Sequence, residues 1–217
     1  MRQHVNPLSA FFQLPLSLPS KNVLFKKPQY PIHLDIGSAK GEFLIELATK
    51  HPDWNFVGLE IREPLVSLCE KKRIKLELNN LKFLFCNVNV SLDEWLSDLD
   101  HGQLKRVSIQ FPDPWFKRKH FKRRVLKTSL LKSIARCMCR DGEFFIQSDI
   151  FKLMESMTNV VDNSRYFDRK VVKGIKWLDK NPYDVTTDRE NFVIKKNLPI
   201  YRAMYIRNSL LLTSKLK

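Results

Sequence analysis

The most informative stretch of the chain is the segment 112–119, which reads Pro-Asp-Pro-Trp-Phe-Lys-Arg-Lys. It follows the apolar run 106–111, which is typical of a buried strand. Each proline fixes its own φ at about −65°, and Pro114 favours extended backbone at Asp113. The Asp113 carboxylate is therefore expected on a stiff rim at the end of a strand. A fixed acid beside an aromatic residue and a run of cations indicates chemistry on a polyanion, and nucleic acid is the natural candidate.

Positive charge is concentrated in three parts of the chain. The 217 residues include 38 Lys and Arg and 23 Asp and Glu, which gives a formal net charge of +15. No acid occurs before Asp35 or after Glu190, and residues 114–140 hold ten Lys and Arg without an acid. A single charged run is commonly a solvated face, but three acid-free stretches in one chain favour a surface that binds a polyanion. The cations predicted to contact the phosphates of a nucleic acid are Arg118, Lys119, Lys122, Arg123 and Arg124.

A second group of polar residues falls at the ends of the three strands that precede Asp113. Asp35 starts the turn 35–41, whose two glycines are spaced Gly-x3-Gly rather than the Gly-x-Gly-x-x-Gly of dinucleotide binders. Glu60 ends the second strand, where an acid accepts hydrogen bonds from ribose hydroxyls, and Asn87 follows the third strand, where it suits an adenine edge. An acid before the glycine turn repels a pyrophosphate and suits an ammonium group. The set therefore favours S-adenosylmethionine over a nicotinamide dinucleotide.

These side chains need a scaffold that brings strand ends to one edge. The hydrophobic pattern predicts five strands that alternate with helices, which is typical of a parallel sheet with helices on both faces. Ligands bind at the carboxyl ends of the strands in such sheets. The five strands are predicted at 31–36, 55–60, 81–86, 104–111 and 143–148, the last after a turn at 141–142, with two later strand-like runs at 170–175 and 201–206. Helices are predicted at 40–50, 64–78, 92–99, 126–138 and 153–161.

The length and composition fit one α/β domain with attached ends. Residues 1–30 are rich in proline, aperiodic and basic, which predicts an N-terminal arm; residues 31–207 are predicted to form a single domain and 208–217 a tail. No apolar run approaches the ~18 residues of a membrane span, and a secretory signal is not indicated. The four cysteines lack metal-ligand spacing. A zinc site is therefore not expected, and reduced thiols suit an intracellular protein.

Taken together, the motifs resemble the tRNA (guanine-N7-)-methyltransferases, a family with the class I S-adenosylmethionine-dependent methyltransferase fold. The similarity extends from the arm to about residue 207, and the ordered set is more specific than any single motif. The family's usual Pro is replaced here by Phe116, its usual Thr by Ser148, and its frequent Asp by Asn87. The matching segments are residues 33–43 (HLDIGSAKGEF), 58–60 (GLE), 111–117 (FPDPWFK), 120, 122–124, 147–149 (QSD), 187–190 (TDRE) and 198–202 (LPIYR).

The resemblance implies a fold, a reaction and a set of site residues. The implied fold is α/β and Rossmann-like, with a mainly parallel seven-stranded sheet and helices on both faces. The implied reaction is methyl transfer from S-adenosylmethionine to N7 of a guanosine in tRNA, in the variable loop, with Asp113 as the catalytic residue. The implied cofactor contacts are Asp35, Glu60, Asn87 and Asp113, to which the glycine turn adds Gly37. The implied substrate contacts are Lys117, Asp149, Thr187 and Glu190.

The chemistry of the target atom narrows what the acids can do. N7 of guanine carries a free lone pair, so its methylation needs no prior removal of a proton. An acid beside the base can instead accept hydrogen bonds from the ring and stabilise its growing positive charge. This is the role predicted for Asp113 and, more weakly, for Asp149 or Glu190. Trp115 is either a stacking partner of the target base or a packing residue, and His120 is expected to be a surface contact.

Three alternatives stay open at this point. An exocyclic-amine methyltransferase uses an acid-Pro-Pro-aromatic loop at the same strand end, and the second proline is missing after Pro114. A non-catalytic RNA-binding protein on the same fold would not need Asp35, Glu60 and Asp113. A nicotinamide-dependent oxidoreductase would need a third glycine. The expected partner is tRNA, with neither membrane nor metal, for a monomer or homodimer in the cytoplasm or in an organelle.

Overall fold

The computed structural model describes residues 5–171, 174 and 176–210. A seven-stranded sheet organises this part of the chain. The strands are β1 (Ile32–Ile36), β2 (Asn55–Glu60), β3 (Leu81–Phe85), β4 (Leu104–Gln110), β5 (Met138–Ser148), β6 (Phe167–Arg169) and β7 (Tyr201–Arg207). The helices are α1 (Lys21–Leu24), α2 (Glu42–Lys50), α3 (Glu63–Lys75), α4 (Val88–Ser97), α5 (Thr128–Cys137), α6 (Phe151–Asp162) and α7 (Asp188–Lys195).

The strands lie in the order β3-β2-β1-β4-β5-β7-β6. The first five pair in parallel, whereas β7 runs antiparallel to both β5 and β6. The predicted mainly parallel, seven-stranded α/β fold is confirmed. From β1 the chain adds strands first towards β3 and then, from β4 on, in the opposite direction. A reversal of this kind opens a crevice at the carboxyl ends of the two central strands.

Helices cover both faces of the sheet. On one face α4 and α5 bury Leu92 and Leu131 against Leu34 of β1, within one continuous apolar cluster. On the other face α2 buries Leu44 against Phe56 of β2 in a second cluster. Full burial of each such side chain contributes roughly 1.5–3 kcal/mol relative to an exposed one. The sheet is therefore held rigidly between two layers, and its carboxyl edge is a fixed frame for a site.

The predicted start of the fifth strand is wrong. The expected turn at 141–142 lies inside β5, which begins at Met138. Met138 of β5 pairs with Leu104 of β4, and the next pair along the strands is Glu143 with Arg106. More residues of β5 than of β4 lie between these two pairs. The extra residues form a bulge, which keeps turn-forming side chains within a strand.

Two other boundaries differ from the prediction. Helix α4 begins at Val88, four positions before the predicted start, because Asn87 caps it by accepting a hydrogen bond from Asn89 N at 3.2 Å. The sixth strand occupies Phe167–Arg169 rather than 170–175. Residues 172, 173 and 175 of that predicted run lie outside the described residues.

The N-terminal arm lies against α4. Its regular parts are a 3₁₀ turn at Ala10–Gln13 and the short helix α1. Trp95 Nε1 donates a hydrogen bond to Pro19 O at 2.9 Å, and Leu16 N donates to Ser91 Oγ at 3.0 Å. Lys21 is buried and forms an ion pair with Asp100. The arm is thus fixed to the domain by side chains that are distant in sequence.

Two features are absent from the described ranges. None of their helices is both long enough and apolar enough to cross a membrane. No three His, Cys, Asp or Glu side chains in this part of the chain are grouped as metal ligands. The four cysteines carry free thiols.

Candidate active site

A cavity of about 840 Å³ opens at the carboxyl edge of the sheet. Its walls come from the ends of β1 to β4, from the first turn of α7 and from the arm. Its size falls within the range of small-molecule sites. Adjacent parallel strands bring together residues that are far apart in sequence. The predicted catalytic, cofactor and substrate residues that line the cavity are Asp35, Gly37, Glu60, Asn87, Asp113 and Thr187.

Asp35 is a buried carboxylate, with 4% of its surface exposed. Its Oδ1 accepts hydrogen bonds from Ser108 Oγ at 2.6 Å and from Gln110 Nε2 at 3.3 Å. Burial raises the pKa of Asp35 from 3.8 to about 6, while the two hydrogen bonds lower it and the charge of Glu60 raises it. A cationic ligand beside this carboxyl group would lower its pKa and favour its ionised form.

The glycine turn brings backbone close to the cavity. Gly37 has a φ of 86°, and the position that a Cβ would occupy there is open space. The N–H groups of Gly37 and Ser38 both donate to Leu59 O, at 2.7 and 3.1 Å. Ala39 N donates to Glu60 Oε2 at 3.0 Å. Because these three donors are already used, the turn lets a ligand approach closely but lacks the set of N–H groups that cradles a pyrophosphate.

Glu60 is held by a residue that sequence reasoning missed. Arg62 donates to its carboxylate through the backbone N at 3.0 Å, Nε at 2.9 Å and Nη2 at 3.0 Å. The hydrogen bond to Glu60 raises the pKa of Arg62, and the charge of Asp113 also raises it. Arg62 therefore lies within the electrostatic reach of both acids. The signal was the Glu-x-Arg spacing at a strand end, which places two side chains on the same side of an extended chain.

Asn87 uses both hydrogens of its side-chain amide to hold the arm, and neither points into the cavity. Its Nδ2 donates to Pro7 O at 3.1 Å and to Phe12 O at 3.0 Å. Asn89, which lines the cavity, has a buried Oδ1 without a hydrogen-bond partner in the described chain, and the same holds for Ser38 Oγ. Buried polar atoms are normally satisfied. These two atoms therefore suit a ligand that donates hydrogen bonds.

The rim around Asp113 is stiffer than its two prolines alone imply. Phe111 and Trp115, two residues before and after the acid, have φ values of 47° and 45°. Bulky side chains in this left-handed region cost roughly 1–2 kcal/mol each, and such strain is concentrated at functional sites. The Arg123 guanidinium lies 4.9 Å from the centre of the Trp115 ring, and the His120 ring packs edge-on at 5.8 Å.

Three predicted substrate contacts do not line the cavity. Lys117 is exposed beside the 3₁₀ turn that follows it. Asp149 forms an ion pair with Arg189, and the Arg189 side chain does line the cavity. Glu190 is completely buried, with 0% exposure. The structure thus brings Asp149 to the cavity only through its partner and places Glu190 beneath it.

Glu190 belongs to a buried polar network. Its carboxylate accepts from Arg202 Nη2 at 2.7 Å and from Gln147 Nε2 at 3.0 Å. Gln147 Nε2 also donates to Gln110 Oε1 at 2.7 Å, and Gln110 in turn donates to Asp35. Hydrogen bonds therefore connect Asp35 to the start of α7. Glu190 also completes a capping box at that helix start, with Thr187 as the cap.

The predicted phosphate contacts divide into two groups. Arg118, Lys119 and Lys122 are exposed on the 3₁₀ turn Arg118–Arg123. Arg123 lies over Trp115 at the cavity. The Arg124 guanidinium donates to Pro114 O at 3.0 Å and to Ser156 Oγ at 2.9 Å. The first group is open to solvent, whereas the second is fixed against the protein. We call residues 117–124 the cationic loop.

Known proteins resemble this chain over most of its length. A family model described as a putative methyltransferase matches residues 29–203. A tRNA (guanine-N(7)-)-methyltransferase of Prochlorococcus marinus strain NATL1A is 81% identical, over 99% of this chain and 100% of its own length. A protein of the same name from strain MIT 9313 is 53% identical, over 96% of this chain and 88% of its own. Among solved structures, an antibiotic-related methyltransferase shares the fold, with a TM-score of 0.58 and 18% identity over 89% of this chain and 96% of its own.

Proposed function

The chain belongs to the tRNA (guanine-N(7)-)-methyltransferase family, and we propose that it transfers a methyl group from S-adenosylmethionine to N7 of a guanosine in tRNA. The observation that carries the proposal is the convergence of Asp35, Glu60, Asn87 and Asp113 on one cavity. The predicted family, enzyme class and cofactor are confirmed by the relatives. The roles of single residues, and the variable loop as the target region, are our inference.

The residues present fit the cofactor. Asp35 offers a buried carboxylate to its ammonium group, and the open space at Gly37 leaves room for its chain. Glu60 stands at the end of β2, where a carboxylate accepts from ribose hydroxyls. The unpartnered oxygens of Ser38 and Asn89 accept from its remaining donors. When bound, S-adenosylmethionine supplies a methyl group on a sulfonium centre.

Asp113 is assigned to the target base. The guanine ring becomes cationic as N7 is methylated, and a carboxylate fixed beside it stabilises that charge. The strained backbone at Phe111 and Trp115 holds Asp113 in place before the base arrives. Because N7 has a free lone pair, Asp113 accepts hydrogen bonds from the base and removes no proton. Positioning of the base in line with the methyl group supplies the rest of the rate.

The substrate contacts follow from where each residue lies. Thr187 lines the cavity and caps α7, which supports its assignment as a contact of the guanosine. Asp149 acts with Arg189, which it orients towards the cavity. Glu190 acts as a positioning residue from below, through the capping box. Lys117 is assigned to a phosphate of the bound tRNA.

The RNA is bound by the cationic loop. Exposed lysines and arginines attract phosphates without reading sequence, and release of counterions makes affinity fall with salt. The target base must leave its stack to reach the cavity, at a cost of a few kcal/mol. Stacking on Trp115 offsets part of this cost. A tRNA substrate is consistent with the predicted cytoplasmic location.

The test is methylation of unmodified tRNA with labelled S-adenosylmethionine, followed by digestion and nucleoside mapping. We expect 7-methylguanosine as the labelled product at a single position. Labelled N6-methyladenosine or N2-methylguanosine would assign the chain to exocyclic amines instead. Calorimetry with the cofactor alone tests the non-catalytic alternative, since an RNA-binding protein that does not use the cofactor would give no heat of binding.

A further inference from the structure

The loop after Asp113 separates two concave surfaces. Asp113 and Trp115 line the cofactor cavity, whereas Pro114 and Phe116 line a groove of about 530 Å³ on the other side. We call this the second groove. Alternate residues of this short segment line different concave surfaces, so the segment forms a wall common to both. A ligand in the second groove would therefore lie across this segment from the cavity that Asp113 lines.

Aromatic rings form one side of the second groove. Phe116 is 73% exposed and Phe121 is 43% exposed, and both lie within the most basic part of the chain. The Arg124 guanidinium lies 3.8 Å from the centre of the Phe121 ring. Exposed aromatic rings between cations are what proteins use to stack unpaired bases while holding the backbone that carries them.

Polar side chains of one helix form the other side. Lys152, Ser156 and Asn159 of α6, and Asn163 at its end, line the groove at spacings of four, three and four residues. This spacing places them on one face of the helix. Ser156 already accepts a hydrogen bond from Arg124. Amide side chains can both donate to and accept from the edge of a base.

The charge around the groove favours an anionic occupant. Lys152 lines it, and Lys117, Arg118 and Lys119 are exposed on the loop that forms its wall. Glu155 is the one acid among the lining residues in the described part of the chain. An apolar protein segment would use the two rings but would gain nothing from these cations. A nucleotide uses both.

We propose that the second groove binds an unpaired nucleobase of tRNA directly next to the target guanosine, stacked on Phe116 and hydrogen-bonded by Asn159. The inference rests on the proposed function for the identity of its ligand. It adds a second point at which RNA is held beside the reacting base. The groove would then help to keep the target nucleotide out of its helix.

The first experiment compares Phe116→Ala with Ile74→Ala in steady-state methylation of unmodified tRNA. Ile74 is 61% exposed on α3 and serves as the matched control. We expect Phe116→Ala to raise KM for tRNA by about tenfold, with KM for the cofactor unchanged and with rescue by Phe116→Trp. The salt dependence of KM for tRNA should be the same in Phe116→Ala as in the wild type, because the substitution removes no charge. A KM for tRNA within twofold of the wild type would overturn the proposal. The same result is expected if a protein segment, rather than a nucleobase, occupies the groove.

The second experiment uses tRNAs with an abasic nucleotide on the 5′ or the 3′ side of the mapped guanosine. One of the two abasic tRNAs should raise the KM of the wild-type enzyme by the same factor as Phe116→Ala does. On that tRNA, the KM of the variant should not rise further. If the KM increases caused by the variant and by the abasic nucleotide multiply for both tRNAs, the neighbouring base does not stack on Phe116. Filter binding of unmodified tRNA to the wild type and to Phe116→Ala tests the groove even if the wild type proves to methylate nothing, because it needs no mapped position. Failure of the proposed function and failure of this inference are therefore distinguishable.

Discussion

Two regions flank the cavity and are built on opposite principles. Beneath it, Asp35, Gln110, Gln147, Glu190 and Arg202 form a network in which every member is at most 8% exposed. Beside it, most of the cationic loop is exposed to solvent. The network consists of specific hydrogen bonds at fixed distances, whereas the loop consists of charge at high density. We therefore expect the first region to determine geometry and the second to determine affinity for a polyanion.

The two regions also differ in how their side chains contribute energetically. A buried charge that loses its partner remains without solvent, so each member of the network depends on the others. Exposed cations are interchangeable, because each is screened and each contributes a similar small amount. Substitutions in the network should therefore be severe and individual, and those in the loop mild and additive.

The largest effect is expected at Asp113, which stands between the two regions. Asp113→Ala should lower kcat by about 10²–10³-fold, because the charge that stabilises the cationic ring is lost. Binding of tRNA should change little, since the cationic loop is intact. Single-turnover methylation with saturating tRNA measures the first quantity and filter binding the second. Near-normal turnover in Asp113→Ala would remove the residue from the catalytic role, and Asp113→Asn separates loss of charge from loss of shape.

The next effect breaks the network. Glu190→Leu should lower the free energy of unfolding by about 3–5 kcal/mol, because it leaves Arg202 buried and unpaired. The matched control is Asp188→Ala, whose ion pair with Lys40 is more than half exposed and should contribute less than about 1 kcal/mol. Urea denaturation measures both. The double variant Glu190→Leu with Arg202→Met should be more stable than Glu190→Leu alone; equal losses would mean that the ion pair is not the cause.

A third prediction concerns pH and the cofactor. The pKa of Asp35 is about 6 in the free protein, and only the ionised form pairs with an ammonium group. Affinity for S-adenosylmethionine should therefore be nearly constant from this pKa to about pH 7.5, above which the α-amino group of the cofactor loses its own proton, and should fall by about tenfold for each pH unit below it. Calorimetry between pH 5 and 8 checks the curve. Asp35→Asn should bind weakly with no such dependence, and an unchanged curve in that variant would assign the titration to another group.

The smallest effect is expected in the cationic loop. Replacing Lys119 and Lys122 by Ala should reduce the slope of log affinity for tRNA against log salt by about one to two. Stability should be unaffected, because both side chains are exposed. The control replaces Lys71 and Lys75, which are exposed on α3. If both pairs change the slope equally, net charge rather than this loop attracts the RNA.

The sequence predicted the frame of the site well. Asp35, Glu60, Asn87 and Asp113 were each placed at a strand end by local hydrophobic patterns, and parallel pairing then brings consecutive ends to one edge. Strand boundaries and the fold class are therefore enough to place these four residues together. The bulge in β5 was not predicted, because the residue types that form turns between elements also occur in bulges inside a strand.

The partners of these side chains were not predictable in the same way. The bonds from Asn87 to the arm, from Arg202 to Glu190 and from Arg124 to Ser156 join residues that lie 12 to 80 positions apart. No periodicity specifies which of several polar side chains will meet across such a distance. Burial of Glu190 was missed for the same reason, since its motif reads as an exposed helix start.

The docking of the arm has a consequence for how the protein is made. The bonds of Asn87 to Pro7 and Phe12 span 80 and 75 positions, and that of Trp95 to Pro19 spans 76. The ribosome synthesises the arm before these partners exist, and at about 5–20 residues per second the wait is on the order of ten seconds. During this time the arm, which has no acid and several lysines, stays solvated. The wall of the cofactor cavity therefore includes a segment that is translated well before its partners and can reach its place only after them.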